Sequence, residues 1–244
     1  MAQGKLARLC DEGTSASGSR PQKKGNYKMV LDSAPITLRK LTVGDHRTNC
    51  YLINIGDETA VIDPGEDAAL IVAELEHNHQ VNLRYILLTH GHFDHVMAVD
   101  DLVIKYPHVS VLIHEDDIKL LRETVEQGLF VGKKLHRVTS EVVAVSSGSE
   151  MPFGSTNIKV IHTPGHTKGS VCYQIGEYLF TGDTIFYHTY GRIDLPWSEP
   201  SEMKDSIDKV LGLPDSLRIL PGHGRESTIE EEKKFNSSEG TEYF

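Results

Sequence analysis

Cysteines are few in this sequence, and long apolar segments are absent. The three cysteines, Cys10, Cys50 and Cys172, are an odd number spread along the chain, and none belongs to a Cys-x-x-Cys pair. A disulfide framework is therefore not expected, and a reducing compartment is the default. No apolar run reaches the roughly 18 residues that a membrane span needs, and the amino-terminal residues contain no apolar core of a secretory signal. These absences predict a cytoplasmic protein that does not enter a membrane.

Positive charge is also in short supply. The chain has 25 Lys and Arg residues against 35 Asp and Glu residues, so its net charge is −10 at pH 7. Such a surface repels polyanions. This counts against a nucleic-acid partner, because proteins that bind nucleic acids need basic surfaces to contact phosphate. The hydrophobic share of 39% is typical of a globular protein, and 244 residues suffice for one large domain or two small ones.

The first 34 residues differ from the rest of the chain. They have no hydrophobic periodicity and carry Ser, Gly, Lys and Arg, which predicts a disordered leader in front of a domain formed by residues 35–244. Because basic residues outnumber acidic ones in the leader, a mitochondrial or plastid transit peptide is an alternative to a cytoplasmic location. The absence of a clear amphipathic face speaks against that alternative.

The most informative segment is THGHFDH at residues 89–95, which places three imidazoles and a carboxylate within six residues. It follows the apolar run 83–88, which is typical of a buried strand. Where a chain leaves a sheet, successive side chains can converge on one point, so this arrangement predicts a metal site. Imidazole nitrogen and carboxylate oxygen suit zinc, and also iron or manganese.

Three later segments have the same character: HTPGHTKGS at 162–170, FTGDT at 180–184 and LPGHG at 220–224. Each follows or ends a short apolar run and places a His or an Asp beside Gly or Pro, where the backbone can turn sharply. The four segments together supply enough ligands for two metal ions that each keep an open position. These candidate ligands are His90, His92, Asp94, His95, His166, Asp183 and His223.

Short strands and helices alternate from residue 36 onward. Alternating and continuous apolar runs indicate strands, and helical periodicity indicates helices, so the pattern by itself predicts a mixed α and β fold. The predicted strands are 36–41, 50–55, 59–62, 83–88, 109–113, 142–145, 158–161, 171–175, 178–180 and 218–220. The predicted helices are 67–77, 96–106, 116–126 and 201–211, with only a weak helical signal after residue 223.

The four ordered segments resemble the metallo-β-lactamase superfamily, and within it the small single-domain branch that is similar to glyoxalase II, the hydroxyacylglutathione hydrolases. The resemblance extends from about residue 36 to about residue 225. It implies an α/β (α+β) fold, a four-layer αββα sandwich, in which the ligand-bearing loops meet at one edge. A further match, Gly-Arg-Ile-Asp at 191–194, resembles this branch and also the persulfide dioxygenases, which are iron enzymes on the same scaffold.

The resemblance also implies how the ligands are divided between two divalent metal ions. The expected metal is Zn²⁺, with Fe²⁺ or Mn²⁺ as alternatives. Metallo-β-lactamases proper usually lack an Asp at the bridging position, so Asp183 argues against antibiotic hydrolysis. Asp94 is expected to be catalytic as well, because its free oxygen can carry a proton to a leaving group. The implied first site comprises His90, His92 and His166, the second comprises Asp94, His95 and His223, and Asp183 bridges both.

A metal ion lowers the pKa of bound water from 15.7 to about 7, which provides hydroxide at neutral pH. Together with the resemblance, this predicts hydrolysis of a small-molecule thioester, a glutathione conjugate such as S-lactoylglutathione. Arg192 matches the family's basic glutathione contact and is the predicted substrate-binding residue, although a structural ion pair with Asp194 is an equal alternative. Two contacts that Tyr residues make in the family correspond to Asp194 and Arg225, so we expect weaker glutathione recognition.

Two other functions remain open. An iron-dependent persulfide dioxygenase would retain the same seven ligands, but the segment LPWS at 195–198 favours the hydrolase. A catalytically silent metal-binding protein is less compatible with an intact ligand set. Outside that set, Asp63 either orients a ligand histidine or forms a turn before Pro64. His162 is expected to be an edge or core histidine.

Overall fold

The computed structural model describes residues 35–77 and 82–238. The predicted leader, residues 1–34, lies outside this part of the chain, as do residues 78–81 and 239–244. Within the described ranges, none of the helices has the length and apolar character needed to cross a membrane.

The first half of the chain forms a six-stranded mixed sheet. In spatial order its strands are β1 (Ile36–Val43), β2 (Thr48–Ile55), β3 (Glu58–Ile62), β4 (Asn82–Leu87), β5 (Ser110–His114) and β6 (Val143–Val145). Strands β1 to β3 are antiparallel neighbours, whereas β3 to β6 run parallel to one another. Because parallel strands end at one edge, the residues that follow β4 and β5 emerge on the same side of the sheet.

The second half forms another six-stranded sheet and a short hairpin. Its strands along the chain are β7 (Glu150–Phe153), β8 (Thr156–His162), β9 (Val171–Ile175), β10 (Tyr178–Gly182), the hairpin strands β11 (Ile185–Phe186) and β12 (Thr189–Tyr190), β13 (Arg218–Pro221) and β14 (Ser227–Thr228). The spatial order in the sheet is β14, β13, β10, β9, β8, β7. Strands β10 and β13 are parallel, so their carboxyl ends also share one edge.

The two sheets pack face to face around a common core. Alternate residues of β2, including Tyr51 and Ile53, meet Tyr173 and Phe180 of the second sheet in this core. The ring centroids of Tyr51 and Phe180 are 5.3 Å apart. Because alternate side chains of a strand point to opposite faces, the intervening residues of each sheet face outward and need their own cover.

Helices provide this cover on both sides. They are α1 (Ala68–Glu76), α2 (Phe93–Val96), α3 (Val99–Lys105), α4 (Ile118–Arg122), α5 (Thr124–Val131), α6 (Pro200–Leu211) and α7 (Ile229–Ser238). Ile71 of α1 shares a second core with Leu52 of β2, and Ile207 of α6 shares a third with Leu179 of β10. The layers are helix, sheet, sheet and helix, which confirms the predicted αββα sandwich.

One of the predicted helices begins later than expected, and another is divided. The helix predicted for 96–106 begins at Val99 as α3, and a separate single turn, α2, precedes it. The N–H of Ala98 donates to Pro64 O at 3.0 Å instead of continuing α2. The helix predicted for 116–126 is a 3₁₀ turn at Glu115–Asp117 followed by α4 and α5, which meet at Glu123. Strand β7 was not predicted, because it is short and acquires its conformation by pairing with β8.

Candidate metal centre

The seven predicted ligands meet at one edge of the sandwich. The first half of the chain contributes the four residues that follow β4, namely His90, His92, Asp94 and His95. The second half contributes three, each after a different strand: His166 after β8, Asp183 after β10 and His223 after β13. Asp94 and His95 lie in the single turn of α2, which precedes the helix predicted for 96–106.

Three histidines form one group of donors. The Nδ1 atom of His92 lies 2.9 Å from Nε2 of His166. The ring centroid of His90 is 4.8 Å from that of His92 and 4.9 Å from that of His166. All three side chains are buried. Their ring nitrogens lie close enough to bind a single ion.

A second group adjoins the first. The Nε2 atoms of His95 and His223 are 3.3 Å apart. Asp94 Oδ2 lies 3.3 Å from Nε2 of His223 and 3.7 Å from Nε2 of His95. This is a mixed nitrogen and oxygen donor set.

The carboxylate of Asp183 faces both groups. Its Oδ2 atom lies 3.5 Å from Nε2 of His166, in the first group, and 3.6 Å from Nε2 of His223, in the second. Its Oδ1 atom lies 3.5 Å from Nε2 of His95. One carboxylate therefore stands where it can contact ions in both positions.

The donors fit divalent metal ions. Ligand atoms about 2.0–2.2 Å from a tetrahedral ion lie roughly 3.3 Å from one another, and the separations given above range from 2.9 to 3.7 Å. Within the described ranges, the buried atoms His90 Nε2 and Asp183 Oδ1 have no hydrogen-bond partner. Buried polar atoms without a partner are costly, and a cation would provide the missing partner for each.

Two glycines allow the backbone to approach the donors. A Cβ atom at Gly222 would lie 2.3 Å from Asp183 Oδ1 and 2.6 Å from Cε1 of His95. A Cβ atom at Gly182, where φ is +48°, would lie 2.2 Å from Oγ1 of Thr89. Any larger residue at either position would displace a side chain of the centre.

Hydrogen bonds at their Nδ1 atoms orient two of the histidines, His95 and His90. The buried carboxylate of Asp63 contacts Nδ1 of His95 at 3.0 Å and accepts from the hydroxyl of Thr89 at 2.7 Å. That hydroxyl oxygen lies 3.0 Å from Nδ1 of His90. With a proton on each Nδ1, the Nε2 atoms remain as ligands. Asp63 also has a left-handed backbone, φ 50°, so it both orients ligands and forms a turn.

The donors of the second sheet have partners of their own. His166 Nδ1 lies 2.8 Å from Arg192 O, which leaves its Nε2 atom facing the site. Asn49 Nδ2 donates to Pro221 O at 2.9 Å and to Gly224 O at 3.0 Å, so it holds the loop that carries His223. The hydroxyl of Thr48, on the same strand, donates to Asp94 Oδ2 at 3.2 Å.

A further buried carboxylate, Asp117, was not predicted from the sequence. It accepts hydrogen bonds from the N–H groups of Gly91 and Gly169 at 2.8 and 2.7 Å and from the hydroxyl of Thr167 at 2.7 Å. It thereby ties the loop of His90–His95 to the loop of His166. The only sequence signal, an acidic residue at the start of a predicted helix, is shared by many helix termini.

The two donor groups differ in their electrostatics. Burial and neighbouring histidines lower the pKa of His90 and of His92, which keeps both rings neutral. Burial also opposes charge on His95, but Asp183, Asp94 and Asp63 outweigh it and raise its pKa to about 10. Burial favours the neutral form of Asp94, yet His95 and His223 hold its pKa well below the ordinary value.

A cleft of about 320 Å³ opens onto the centre, and Arg192 and Trp197 are among its lining residues. The guanidinium of Arg192 forms a two-pronged ion pair with Asp194, at 2.8 and 2.9 Å. Arg225 pairs with Glu231 at 3.0 Å. The ion pair between Arg192 and Asp194, which was the alternative interpretation of Arg192, is thus present at the border of the cleft.

His162 takes no part in either donor group. Its ring stacks on that of His114 with a centroid distance of 4.0 Å and an interplanar angle of 10°, and its Nε2 atom lies 2.8 Å from Lys168 O. The lone pairs of parallel rings lie in parallel planes, so the two imidazoles do not converge on one ion. His162 is an edge histidine, as expected.

Known proteins match this chain across both halves of the site. Residues 43–223 match the family model of the metallo-beta-lactamase superfamily. Hydroxyacylglutathione hydrolase GloC from Haemophilus influenzae is 34% identical over 196 residues, which cover 77% of this chain and 91% of the relative. The probable metallo-hydrolase MJ0888 from Methanocaldococcus jannaschii is 34% identical over 193 residues, 76% and 91% of the two chains.

Solved structures agree with the sequence matches. BLEG-1 B3 metallo-β-lactamase is 30% identical with a TM-score of 0.76, and TTHA1623 in a di-iron-bound form is 32% identical with a TM-score of 0.75; each match covers 82% of this chain and 98% of the other. ETHE1 from Myxococcus xanthus is 27% identical with a TM-score of 0.66, covering 82% and 83%. The chain belongs to the metallo-β-lactamase superfamily.

Proposed function

We propose that the protein is a binuclear metallohydrolase that cleaves a glutathione thioester of the S-lactoylglutathione type. The observation that carries this proposal is the pair of adjoining donor groups with Asp183 between them. The relative GloC, a hydroxyacylglutathione hydrolase, supports the substrate class. The proposed ligands are those predicted from the sequence, and Zn²⁺ is the proposed metal.

When bound, divalent ions supply Lewis acidity, which makes water acidic enough to ionise near neutral pH and polarises a carbonyl. The residues of the chain then transfer the proton. In thioester hydrolysis a C–O bond forms, the C–S bond breaks, and a proton from water must reach the leaving sulfur. Asp94 can take that proton on a carboxylate oxygen, because it is ionised and the hydroxyl of Thr48 fixes its orientation.

Recognition of the glutathione end depends on few groups. Arg192 can pair with a substrate carboxylate, but it must then share its guanidinium with Asp194. Arg225 is held between Glu231 and the ring of Tyr187, 3.4 Å from the ring centroid. When contacts bind the ground state and the transition state equally, weakening them raises KM without lowering kcat. A raised KM for glutathione thioesters is therefore expected.

A second candidate is an iron-dependent persulfide dioxygenase on the same ligands. The di-iron form of TTHA1623 supports iron as an alternative metal, and Fe²⁺ and Mn²⁺ both suit imidazole and carboxylate donors. The two candidates require different reactants, since only the dioxygenase consumes O₂.

The test is reconstitution of metal-stripped protein with Zn²⁺, Fe²⁺ or Mn²⁺. Thiol release from S-lactoylglutathione is measured under anaerobic conditions, beside oxygen uptake with glutathione persulfide and hydrolysis of a chromogenic β-lactam. We expect anaerobic thiol release with Zn²⁺ and no β-lactam cleavage. Oxygen uptake by the iron form, with no thioester cleavage by any form, would assign the protein to the dioxygenases instead.

A further inference from the structure

One wall of the cleft is built from apolar side chains that are exposed to solvent. The last turn of α5 ends in Leu129, Phe130 and Val131, whose exposed fractions are 76%, 58% and 43%. Phe130 and Val131 line the cleft, whereas Leu129 does not. Large apolar groups that border a cleft, rather than being scattered singly, mark a binding surface.

Trp197 continues this wall as far as the metal centre. Its ring lies edge-on to that of Phe130, with centroids 5.8 Å apart, and edge-on to that of His92, with centroids 5.9 Å apart. Leu195, Phe93 and Phe186 also line the cleft. An apolar surface therefore extends without a break from the rim to the first donor group.

Two polar side chains of the cleft, Gln127 and Arg192, are already engaged. Gln127 lines the cleft, but its amide bonds to the backbone of Phe93, Gly91 and Leu120 at 2.9, 3.0 and 2.9 Å. Arg192 is paired with Asp194. The side chains of Phe130, Val131 and Leu195 have no polar atom, so a polar group placed against them would lose water without gaining a hydrogen bond.

From this arrangement we infer that the apolar wall receives the acyl group of the substrate, and that the cleft selects thioesters whose acyl group is apolar and longer than lactoyl. The inference rests on the thioester hydrolysis proposed above. A lactoyl group has three carbons and a hydroxyl, and would leave most of this surface in water. Each methylene that the wall buries should improve binding about fourfold.

Binding can be tested without turnover, because Trp197 is the single tryptophan of the chain and its fluorescence reports on the cleft. Metal-free and zinc-loaded protein are titrated with S-methyl-, S-butyl- and S-hexylglutathione, which are thioethers and cannot be hydrolysed. We expect the Kd to fall about fourfold per methylene. Phe130→Ala should raise the Kd of S-hexylglutathione about tenfold and leave the Kd of S-methylglutathione unchanged. Leu129→Ala, one residue away and outside the cleft, is the matched control.

Hydrolysis of S-acetyl-, S-lactoyl- and S-hexanoylglutathione is then compared with zinc bound. We expect kcat/KM for the hexanoyl thioester to exceed that for the lactoyl thioester at least tenfold, and Phe130→Ala to remove most of the difference. Cleavage of all three at similar kcat/KM, with equal binding of the three thioethers, would overturn the inference and leave the hydrolase standing. Absence of thioester cleavage in every metal form would overturn the proposed function and this substrate assignment with it.

Discussion

Oδ2 of Asp63 lies 3.0 Å from Nδ1 of His95, and both side chains are buried. The carboxylate stands behind the imidazole, on the side away from the other donors, and it also binds Thr89, the partner of His90. One residue outside the ligand set thus orients a histidine in each donor group. Partners of this kind typically contribute 10-fold to 100-fold to metal affinity.

Asp63→Asn should therefore lower metal affinity by about 10-fold to 100-fold. Its amide NH₂ would face the His95 ring N–H and the Thr89 hydroxyl in one orientation, and the Thr89 backbone N–H in the other. Metal retained after dialysis against graded chelator measures the effect. Asp67→Asn is the control, since Asp67 has a similar left-handed backbone, φ 56°, and accepts from Gly44 N at 2.9 Å without touching the donors. Equal retention by the Asp63 variant and the parent protein would contradict the role assigned to Asp63.

Asp94→Asn should reduce turnover by about 100-fold or more, which is the scale of general acid–base contributions. The substitution keeps the shape of the side chain but removes the charge that accepts the proton. Metal content of the group formed by His90, His92 and His166 should fall less than that of the other group. Asp101→Asn, on an exposed position of α3, should have no effect. Full turnover with both metals bound would remove Asp94 from the mechanism.

Metal binding should depend most strongly on pH in the group that contains His95 and His223. Bound metal needs neutral imidazole, and the pKa values of His90 and His92 are lowered, so these rings have no proton to lose near pH 7. His95 has a pKa of about 10 in the metal-free protein, and that of His223 is also raised. The metal affinity of the group that contains His95 and His223 should rise from pH 7 toward pH 10, by up to about tenfold per pH unit for each proton released.

The same shift predicts different pH trends for metal-free and metal-loaded protein. A raised pKa in the folded state adds stability that is fully present below the unfolded value of about 6.5 and is lost as pH rises through the folded value. Metal-free protein should thus lose stability between about pH 6.5 and pH 10, whereas loaded protein should be more stable relative to it at the higher pH. Urea unfolding at pH 6.5 and 9, with calorimetric proton release on zinc binding, tests both trends. Parallel trends would contradict the assignment.

The grouping of the seven candidate ligands could be predicted because each lies in a contiguous segment with informative neighbours. His90, His92, Asp94 and His95 are close in sequence after an apolar run, and His166, Asp183 and His223 each follow a Gly. Fold class followed from the same segments through the family resemblance. Strands in the interior of the sheets were also predictable, since burial on both faces leaves continuous apolar runs such as Cys50–Ile53 of β2.

Features that depend on contacts between distant segments could not be predicted. The predicted helix ended at residue 126, so Phe130 and Val131 fell outside it, and the position of Phe130 beside Trp197 depends on the packing of α5 against a distant segment. The break between α2 and α3 at Ala98 depends on a hydrogen bond to Pro64. Neither contact produces a pattern in the local sequence from which it could be predicted.

The carboxylate of Asp117 is the clearest example of such a contact, since its bond to Gly169 N joins residues 52 positions apart. Its two oxygens accept from two backbone N–H groups, on Gly91 and Gly169. Asp117→Asn would place an NH₂ group against one of these donors in either orientation of the amide. Loss of a buried charge-assisted hydrogen bond costs about 1.5–3 kcal/mol, and we expect a decrease of about that size in the free energy of unfolding.

Urea unfolding of the metal-free protein measures this decrease independently of metal. Asp116→Asn is the matched control, because Asp116 is the exposed neighbour of Asp117 and lies 3.6 Å from His114 Nδ1. The Asp117 variant should also bind metal more weakly at the group formed by His90, His92 and His166, since it loosens the connection between their two loops. Unchanged unfolding of Asp117→Asn would mean that the packing of the sheets alone, without this carboxylate, holds His92 and His166 together.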